Sequence, residues 1–226
     1  MGIFKDKTVF ITGASRGIGF CIKNGFEKEG ASVIAPSRNE LDLSSQTSVR
    51  EYIENNDLSK TDIFVHCAGV NIKAGIDEVN EEIMEDVFEV NLFSPISLLK
   101  PITDGMKKRK WGKIILISSL YAIVSKERRI AYSTSKNALT GLAKTLTLEL
   151  APYGILTNCV APGYVMTDMT RNNLSEEEII KIEDEIPTGR FQSEKEISDV
   201  VTFLCSDNNQ SITGQLIAVD GGFLCK

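Results

Sequence analysis

Tyr132 and Lys136 stand four residues apart in the run AYSTSKNALTGLAKTLTLEL. The apolar spacing predicts a helix over Tyr132–Leu150, so both side chains leave one face, one turn apart. A free tyrosine titrates near ~10, too high for proton transfer at neutral pH. A neighbouring ammonium favours the phenolate and brings that value down. Such a pair can give a proton to a carbonyl oxygen, or take one from a hydroxyl. Ser119 lies thirteen residues upstream and can hydrogen-bond the same oxygen. Taken alone the pattern is weak: Tyr132 can be a core ring at a helix start, and Ser119 a turn-initiating serine like Ser118.

A second motif reads TGASRGIG over Thr12–Gly19. Gly13, Gly17 and Gly19 allow a tight turn and a close approach of backbone to a ligand. With an apolar run before it and a helix after it, the turn offers free N–H groups and a positive dipole end to phosphates. That is the pattern of a dinucleotide cradle. Gly13-Ala-Ser15-Arg-Gly17 also fits a hydrolase nucleophile elbow. The sole histidine, His66, lies inside an apolar strand only four residues after Asp62, so the required acid and late histidine are missing. About 20 residues past the glycines, where a carboxylate marks NAD, the chain reads Ala35-Pro36-Ser37-Arg38. Ser37 and Arg38, with Arg16, suit a 2′-phosphate. NADP(H) is therefore expected over NAD(H), although both arginines can also be ordinary surface charges.

The elements that must position these residues alternate. Apolar runs predict strands at Thr8–Thr12, Ser32–Ala35, Asp62–Cys67, Lys113–Ser118, Leu156–Ala161 and Gln215–Val219. Between them, helices are predicted at Ile18–Glu29, Ser48–Asn55, Glu81–Arg109 (interrupted near Pro95 and Pro101), Tyr132–Leu150 and Ser193–Cys205. Alternation implies a parallel, doubly wound α/β sheet in a single domain over 1–226. Ligands are then expected beyond the carboxyl ends of the strands.

Composition excludes several other classes. Of 226 residues, 42% are hydrophobic and 25% charged, near a globular average. The net charge of −6 argues against nucleic acid as a partner. No apolar run reaches the length of a membrane span, and no secretory leader is expected at the N-terminus. Five cysteines at irregular spacing predict no disulfide framework and a cytoplasmic setting. With one histidine, no metal site is expected.

TGASRGIG, Cys67-Ala68-Gly69, Asn91, Ser119, the Tyr132/Lys136 pair, Pro162-Gly163-x-x-x-Thr167 and Val219-Asp220-Gly221-Gly222 together resemble the short-chain dehydrogenase/reductase family. The likeness runs from about Lys7 to Gly222. It implies a Rossmann fold of about seven parallel strands. It also implies hydride transfer between a nicotinamide and a carbonyl or alcohol carbon. By the same resemblance Tyr132 is the acid/base, and Lys136 binds ribose and lowers the tyrosine pKa. Ser119 positions the substrate oxygen, and Asn91 holds a relay water. Gly13, Ser15, Arg16, Gly17, Ile18, Gly19, Cys67, Ala68, Gly69, Pro162, Gly163, Val165 and Thr167 line the cofactor, with Asp42 and Leu43 beside the adenine. A homodimer or homotetramer is expected, packed through the helices of Asn91 and Tyr132.

Three features depart from the family pattern. Cys67 replaces the asparagine of Asn-Ala-Gly, a change expected to affect stability more than catalysis. Ala122 stands where glycine often follows the serine, which reshapes the pocket. Only Asn39, Glu40 and Leu41 separate Arg38 from Asp42, so a helix is missing and the adenine side is more open. GFEKEGASV and IPTGRF resemble the 3-oxoacyl-acyl-carrier-protein reductase branch. A substrate lid is expected around 168–192. Lys126, Arg128 and Arg129 are candidates for an anionic substrate, or plain surface charge. KKRK at Lys107–Lys110 caps a helix end, with docking of an acidic carrier protein as an alternative. A small carbonyl or alcohol is the expected substrate. A non-catalytic dinucleotide sensor on the same fold is the rival, disfavoured because a sensor has no need of all four polar residues.

Overall fold

The computed structural model describes residues 2–167, 170–171 and 174–225. Strands β1 (Thr8–Thr12), β2 (Ser32–Ile34), β3 (Ile63–His66), β4 (Gly112–Ile117), β5 (Ile155–Pro162) and β6 (Leu216–Val219) form one sheet in the order β2-β1-β3-β4-β5-β6. Every neighbouring pair is parallel. The helices are α1 (Gly17–Lys28), α2 (Gln46–Asn55), α3 (Glu81–Phe88), α4 (Ser94–Arg109), α5 (Ile130–Leu150), α6 (Glu176–Glu185) and α7 (Glu194–Cys205).

The strands are apolar on both faces because helices cover both faces. Along β1 the alternation is direct. Phe10 packs with Phe64, Leu98, Ile102, Met106 and Leu139, under α4 and α5. Val9 and Ile11 turn the other way, to Ile22, Phe26, Ile197 and Val201 of α1 and α7. Among the described residues no helix is long and apolar enough to cross a membrane.

Among the described residues the expected seven strands are six. Where the family pattern has a helix and a third strand after β2, the chain, as its short spacing predicts, turns back on itself, with Glu40 N–H and Leu41 N–H both donating to the Ser37 carbonyl. Three residues are too few to cross the sheet and return, so the turn leads straight to Ser45, whose hydroxyl caps α2. Leu41 and Leu43 are buried and replace part of the missing layer. This leaves β2 at the edge of the sheet.

The long helix expected over Glu81–Arg109 is interrupted earlier than either proline. Residues Glu89–Phe93 form a π-helical turn between α3 and α4. Pro95 sits in the first turn of α4, where its missing N–H costs little, and Pro101 lies inside that helix. Of the expected lid, Asp168, Met169, Asn172 and Asn173 lie outside the described residues. The remainder contains α6, whose start is a reciprocal cap between Ser175 and Glu178.

His66 ends β3 fully buried, with Nδ1 2.8 Å from Thr12 Oγ1. Burial, and then the charge of Lys136, push its pKa down to about 3. The unfolded chain takes up this proton below about 6.5, whereas the folded protein refuses it until about 3. Stability therefore falls as pH drops through that window. In urea titrations, the native protein should lose roughly 3 kcal/mol more than His66→Asn between about pH 6.5 and about pH 4. Parallel losses in the two proteins would show that His66 does not govern acid sensitivity.

Candidate active site

The turn between β1 and α1 forms because Gly13 and Gly17 take φ of 71° and 59°. A side chain on Gly13 would also strike the Ala68 backbone, 2.6 Å from where its Cβ would stand. Arg16 is extended at the helix start and offers no capping bond, and the first turn of α1 holds no acid. Helices α2, α3, α6 and α7, by contrast, are capped by Ser45, Asn80, Ser175 and Ser193. The first N–H groups of α1 are thus left for an outside acceptor, and anions bind such ends. Thr167 comes to this turn, its methyl 3.9 Å from where a Gly17 Cβ would stand. Ser15 and Arg16 are exposed, Gly17 and Ile18 are half-buried, and Gly19 is buried.

The segment after β3 is tied to the same turn. Cys67 N–H donates to the Thr12 carbonyl and Ala68 N–H to Thr12 Oγ1, both at 3.3 Å. A Cβ on Gly69 would stand 3.2 Å from Lys136 Nζ and 3.5 Å from Asn91 Oδ1, so Gly69 lies directly against both. Pro162 and Gly163 close β5, with Gly163 packed on Asp220. Val165 is buried and bridges to Gln192.

Ser119 leaves β4 extended and accepts from Tyr121 N–H at 3.2 Å. Burial pushes the Tyr132 phenol above its ordinary value, while the nearby Ser119 hydroxyl opposes that rise. Ser119 and Tyr132 therefore meet. Lys136 Nζ lies 5.8 Å from the centre of the Tyr132 ring and donates to the Ile117 carbonyl at 2.8 Å. Burial lowers its pKa to about 8. Burial outweighs every nearby positive charge at Tyr132, so the lowering expected from a neighbouring ammonium does not prevail in the ligand-free site. Asn91 is fully buried in the π-helical turn. Its Oδ1 accepts from Val70 N–H at 2.8 Å, and its Nδ2 donates to the Val70 carbonyl at 3.0 Å and Ser135 Oγ at 2.9 Å. Turns of this kind collect at functional sites. Cys67 is a neutral thiol, pushed up to about 11 by burial. The Ala122 carbonyl accepts from Asn137 Nδ2 at 2.7 Å.

The edge of the cleft at β2 is bound up internally. Ser37 donates both its N–H and its hydroxyl to Glu40 Oε2 at 2.8 Å. Arg38 Nε lies 3.5 Å from Asp42 Oδ2, and Ser44 donates twice to Asp42 Oδ1. Leu43 is buried in the core, which leaves Asp42 as the more open of that pair.

Sequence reasoning missed Glu40, Ser135, Tyr121 and Tyr164. Tyr121 stands two residues after Ser119, so the strand end that places one can place the other. Its ring meets Tyr132 edge-on at 6.4 Å, and its hydroxyl is 3.4 Å from that of Tyr164. No spacing links Tyr164 to the others. The elbow reading fails on burial: His66 faces Thr12 in the core and cannot serve Ser15 as a base.

A family model described as enoyl-(acyl carrier protein) reductase matches residues 35–224. The 3-oxoacyl-acyl-carrier-protein reductase FabG of Salmonella typhimurium is 33% identical, over 97% of this chain and 98% of that protein. Its counterpart from Aquifex aeolicus is 34% identical, over 96% and 97%. Among solved structures, a gluconate 5-dehydrogenase from Burkholderia cenocepacia J2315, in complex with NADP and tartrate, superposes with a TM-score of 0.91. That match has 26% identity and covers 99% of this chain and 97% of the other. A short-chain dehydrogenase/reductase family protein superposes at 0.88 with 25% identity, covering 98% and 99%. Joined to the bare glycine turn and to the meeting of Ser119, Tyr132 and Lys136, these matches make the chain a member of the short-chain dehydrogenase/reductase family of NAD(P)-dependent oxidoreductases.

Proposed function

We propose that the protein is an NADPH-dependent reductase that converts a ketone to an alcohol, with Tyr132 as the proton donor. The observation that carries this is the convergence of Ser119, Tyr132 and Lys136 beside an uncapped helix start. The NADP named for the gluconate 5-dehydrogenase and the reductase activity named for the FabG proteins support it. The open first turn of α1 and its positive-φ glycines fit a pyrophosphate. Residues 13–19 and Thr167 would hold the phosphates, Ser37 and Arg38 the 2′-phosphate, Asp42 the adenosine, and Gly69 and Lys136 the ribose. Bound there, the dinucleotide supplies the hydride.

The chain's own residues govern the proton. Ser119 hydrogen-bonds the carbonyl oxygen and orients it to Tyr132. Tyr132 gives its phenolic proton to that oxygen, and the Lys136 ammonium stabilises the phenolate left behind. The Asn91 amide, engaged with Val70 and Ser135, fixes the Gly69–Val70 backbone next to Lys136. A relay water on Asn91 would use the second lone pair of Oδ1 or the main-chain carbonyl. We further propose that 1–226 act as one domain in the cytoplasm. Copies would pair through the helices of Asn91 and Tyr132, where Phe93 and Leu148 are exposed.

Turnover is read as loss of reduced-nicotinamide absorbance over a ketone panel. Tyr132→Phe should lower kcat by about 10²–10⁴-fold and leave the NADPH Kd within about threefold. Tight NADPH binding with no turnover of any ketone or alcohol would instead indicate a sensor. For cofactor choice, Arg38→Ala should weaken NADPH by about tenfold and NADH little, since a charged hydrogen bond contributes about 1.5–3 kcal/mol. Glu40→Gln should tighten NADPH by freeing Ser37. Equal effects on the two cofactors would defeat the 2′-phosphate assignment.

Lys136 adds a dependence on pH. The unfolded lysine keeps its proton to about 10.5 and the folded one to about 8, so stability rises with pH between those values. Relative to Lys136→Met, the native protein should gain roughly 2 kcal/mol between about pH 8 and about pH 10 in urea titrations. A constant difference across that range would mean the ammonium is better solvated than its burial implies.

A further inference from the structure

We infer that Arg129 binds an acidic substituent of the substrate, so that the preferred ketone is an anionic carbonyl compound, an oxo acid or a phosphorylated ketone. This rests on the reductase reading above and specifies its substrate class.

Three cations lie between Ser119 and Tyr132, and the structure separates them. Lys126 is exposed. Arg128 takes a left-handed conformation, with φ of 61°, and grips Glu78 with both terminal nitrogens, at 2.7 and 2.6 Å. The Ala74 N–H donates to the Arg128 carbonyl at 3.1 Å, and Ala74 bridges to Arg129. The segment after β3 is thereby strapped to the start of α5, and Arg128 is fully used in that strap.

Arg129 is not. It immediately precedes α5, three residues before Tyr132. Its charge acts to lower the phenols of both Tyr132 and Tyr164, the two rings that Tyr121 joins, while Glu185 acts the other way on Tyr164. It therefore stands near the reacting end of the cleft. Among the described residues no carboxylate pairs with it. Among those residues its Nε is buried without a partner, and its side-chain hydrogen bond to the Arg128 carbonyl is a long one, 3.4 Å from NH1.

Such a placement is unfavourable for the empty protein. A guanidinium carries five donors, and a buried donor left unpaired costs free energy. The start of a helix is also the wrong end of the dipole for a cation. An anion held beside Tyr132 relieves both faults at once, and a planar guanidinium suits carboxylate and phosphate alike.

The test gives wild type, Arg129→Gln and Arg129→Lys four pairs of ketones with NADPH. Pyruvate, acetoacetate and levulinate are each set against their ethyl esters, and dihydroxyacetone phosphate against dihydroxyacetone. Calorimetry follows lactate, 3-hydroxybutyrate and glycerol 3-phosphate binding to the NADP⁺ complex. Wild type should prefer at least one anion over its neutral partner by about 10- to 100-fold, the gain lying in KM. Arg129→Gln should remove that preference while leaving the neutral ketone and the NADPH Kd within about threefold, and Arg129→Lys should restore part of it. Preference for the phosphate pair or for an acid pair identifies which anion is recognised. No charge preference in wild type, a preference that survives Arg129→Gln, or equal losses on both members of a pair would overturn the assignment. If nothing is turned over, hydroxy-acid or glycerol-phosphate binding lost in Arg129→Gln would keep the anion site and sink the reductase reading. Absent binding as well would overturn both.

Discussion

The site is organised around one buried ammonium without a counter-ion. Lys136 is almost wholly buried, and its Nζ has the Ile117 carbonyl as acceptor. No carboxylate pairs with it among the described residues. The titratable groups nearest to it stay neutral: Cys67 is pushed up to about 11, Cys159 up to about 12, and His66 down to about 3. An unpaired charge in a low-dielectric interior is costly, and burial lowers its pKa accordingly. The anion that can form beside it is the Tyr132 phenolate. An acid that is too weak in water is thereby favoured at the moment its proton leaves, because the separated charges offset each other's burial.

Holding that ammonium takes four separate pieces of chain, and the parallel sheet brings their ends together. The ends of β3 and β4 supply Gly69 and the Ile117 carbonyl, α5 supplies Lys136 itself, and the π-helical turn supplies Asn91. Asn91 fastens Val70 through both its amide groups, and Ser135 links Asn91 to the Tyr132 carbonyl at 2.9 Å. The turn of α5 that carries Tyr132 is thus cross-braced to the loop that would lie beneath a ribose. Rotation of either piece would break several buried hydrogen bonds at once, a rigidity that catalytic geometry needs.

Much of this was legible in the residues. Both-face apolar strands, a glycine turn and a four-residue Tyr–Lys spacing have local causes, so each of the six strands was placed to within a residue or two of its observed bounds. What sequence did not give has non-local causes. The π-helical turn at Glu89–Phe93 contains no glycine or proline, and Pro95 and Pro101 pointed further along the chain. Glu40 reaches Ser37 because the turn after β2 is short, a consequence of deletion that residue types alone do not encode. Tyr164 joins Tyr121 across 43 residues, through sheet geometry. The seventh strand came from the family likeness; the chain's own spacing had already left no room for it.

That shortened segment changes the electrostatics of the cleft at the end remote from the reaction. With β2 at the sheet edge, Ser37 and Arg38 stand in solvent and are satisfied by Glu40 and Asp42. A phosphate arriving there competes with carboxylates already in place, so its net gain is smaller than the bare charge of Arg38 implies. At the reacting end the situation is reversed. Among the described residues no carboxylate pairs with Arg129, and the rings of Tyr121, Tyr132 and Tyr164 gather at that end. In a chain of net charge −6, long-range attraction cannot draw anions to the cleft, and salt screens what remains. Selectivity for negative groups then depends on individual cations and on whether each is already paired. By that criterion the open cation beside Tyr132 discriminates more strongly than the paired one beside the adenosine end.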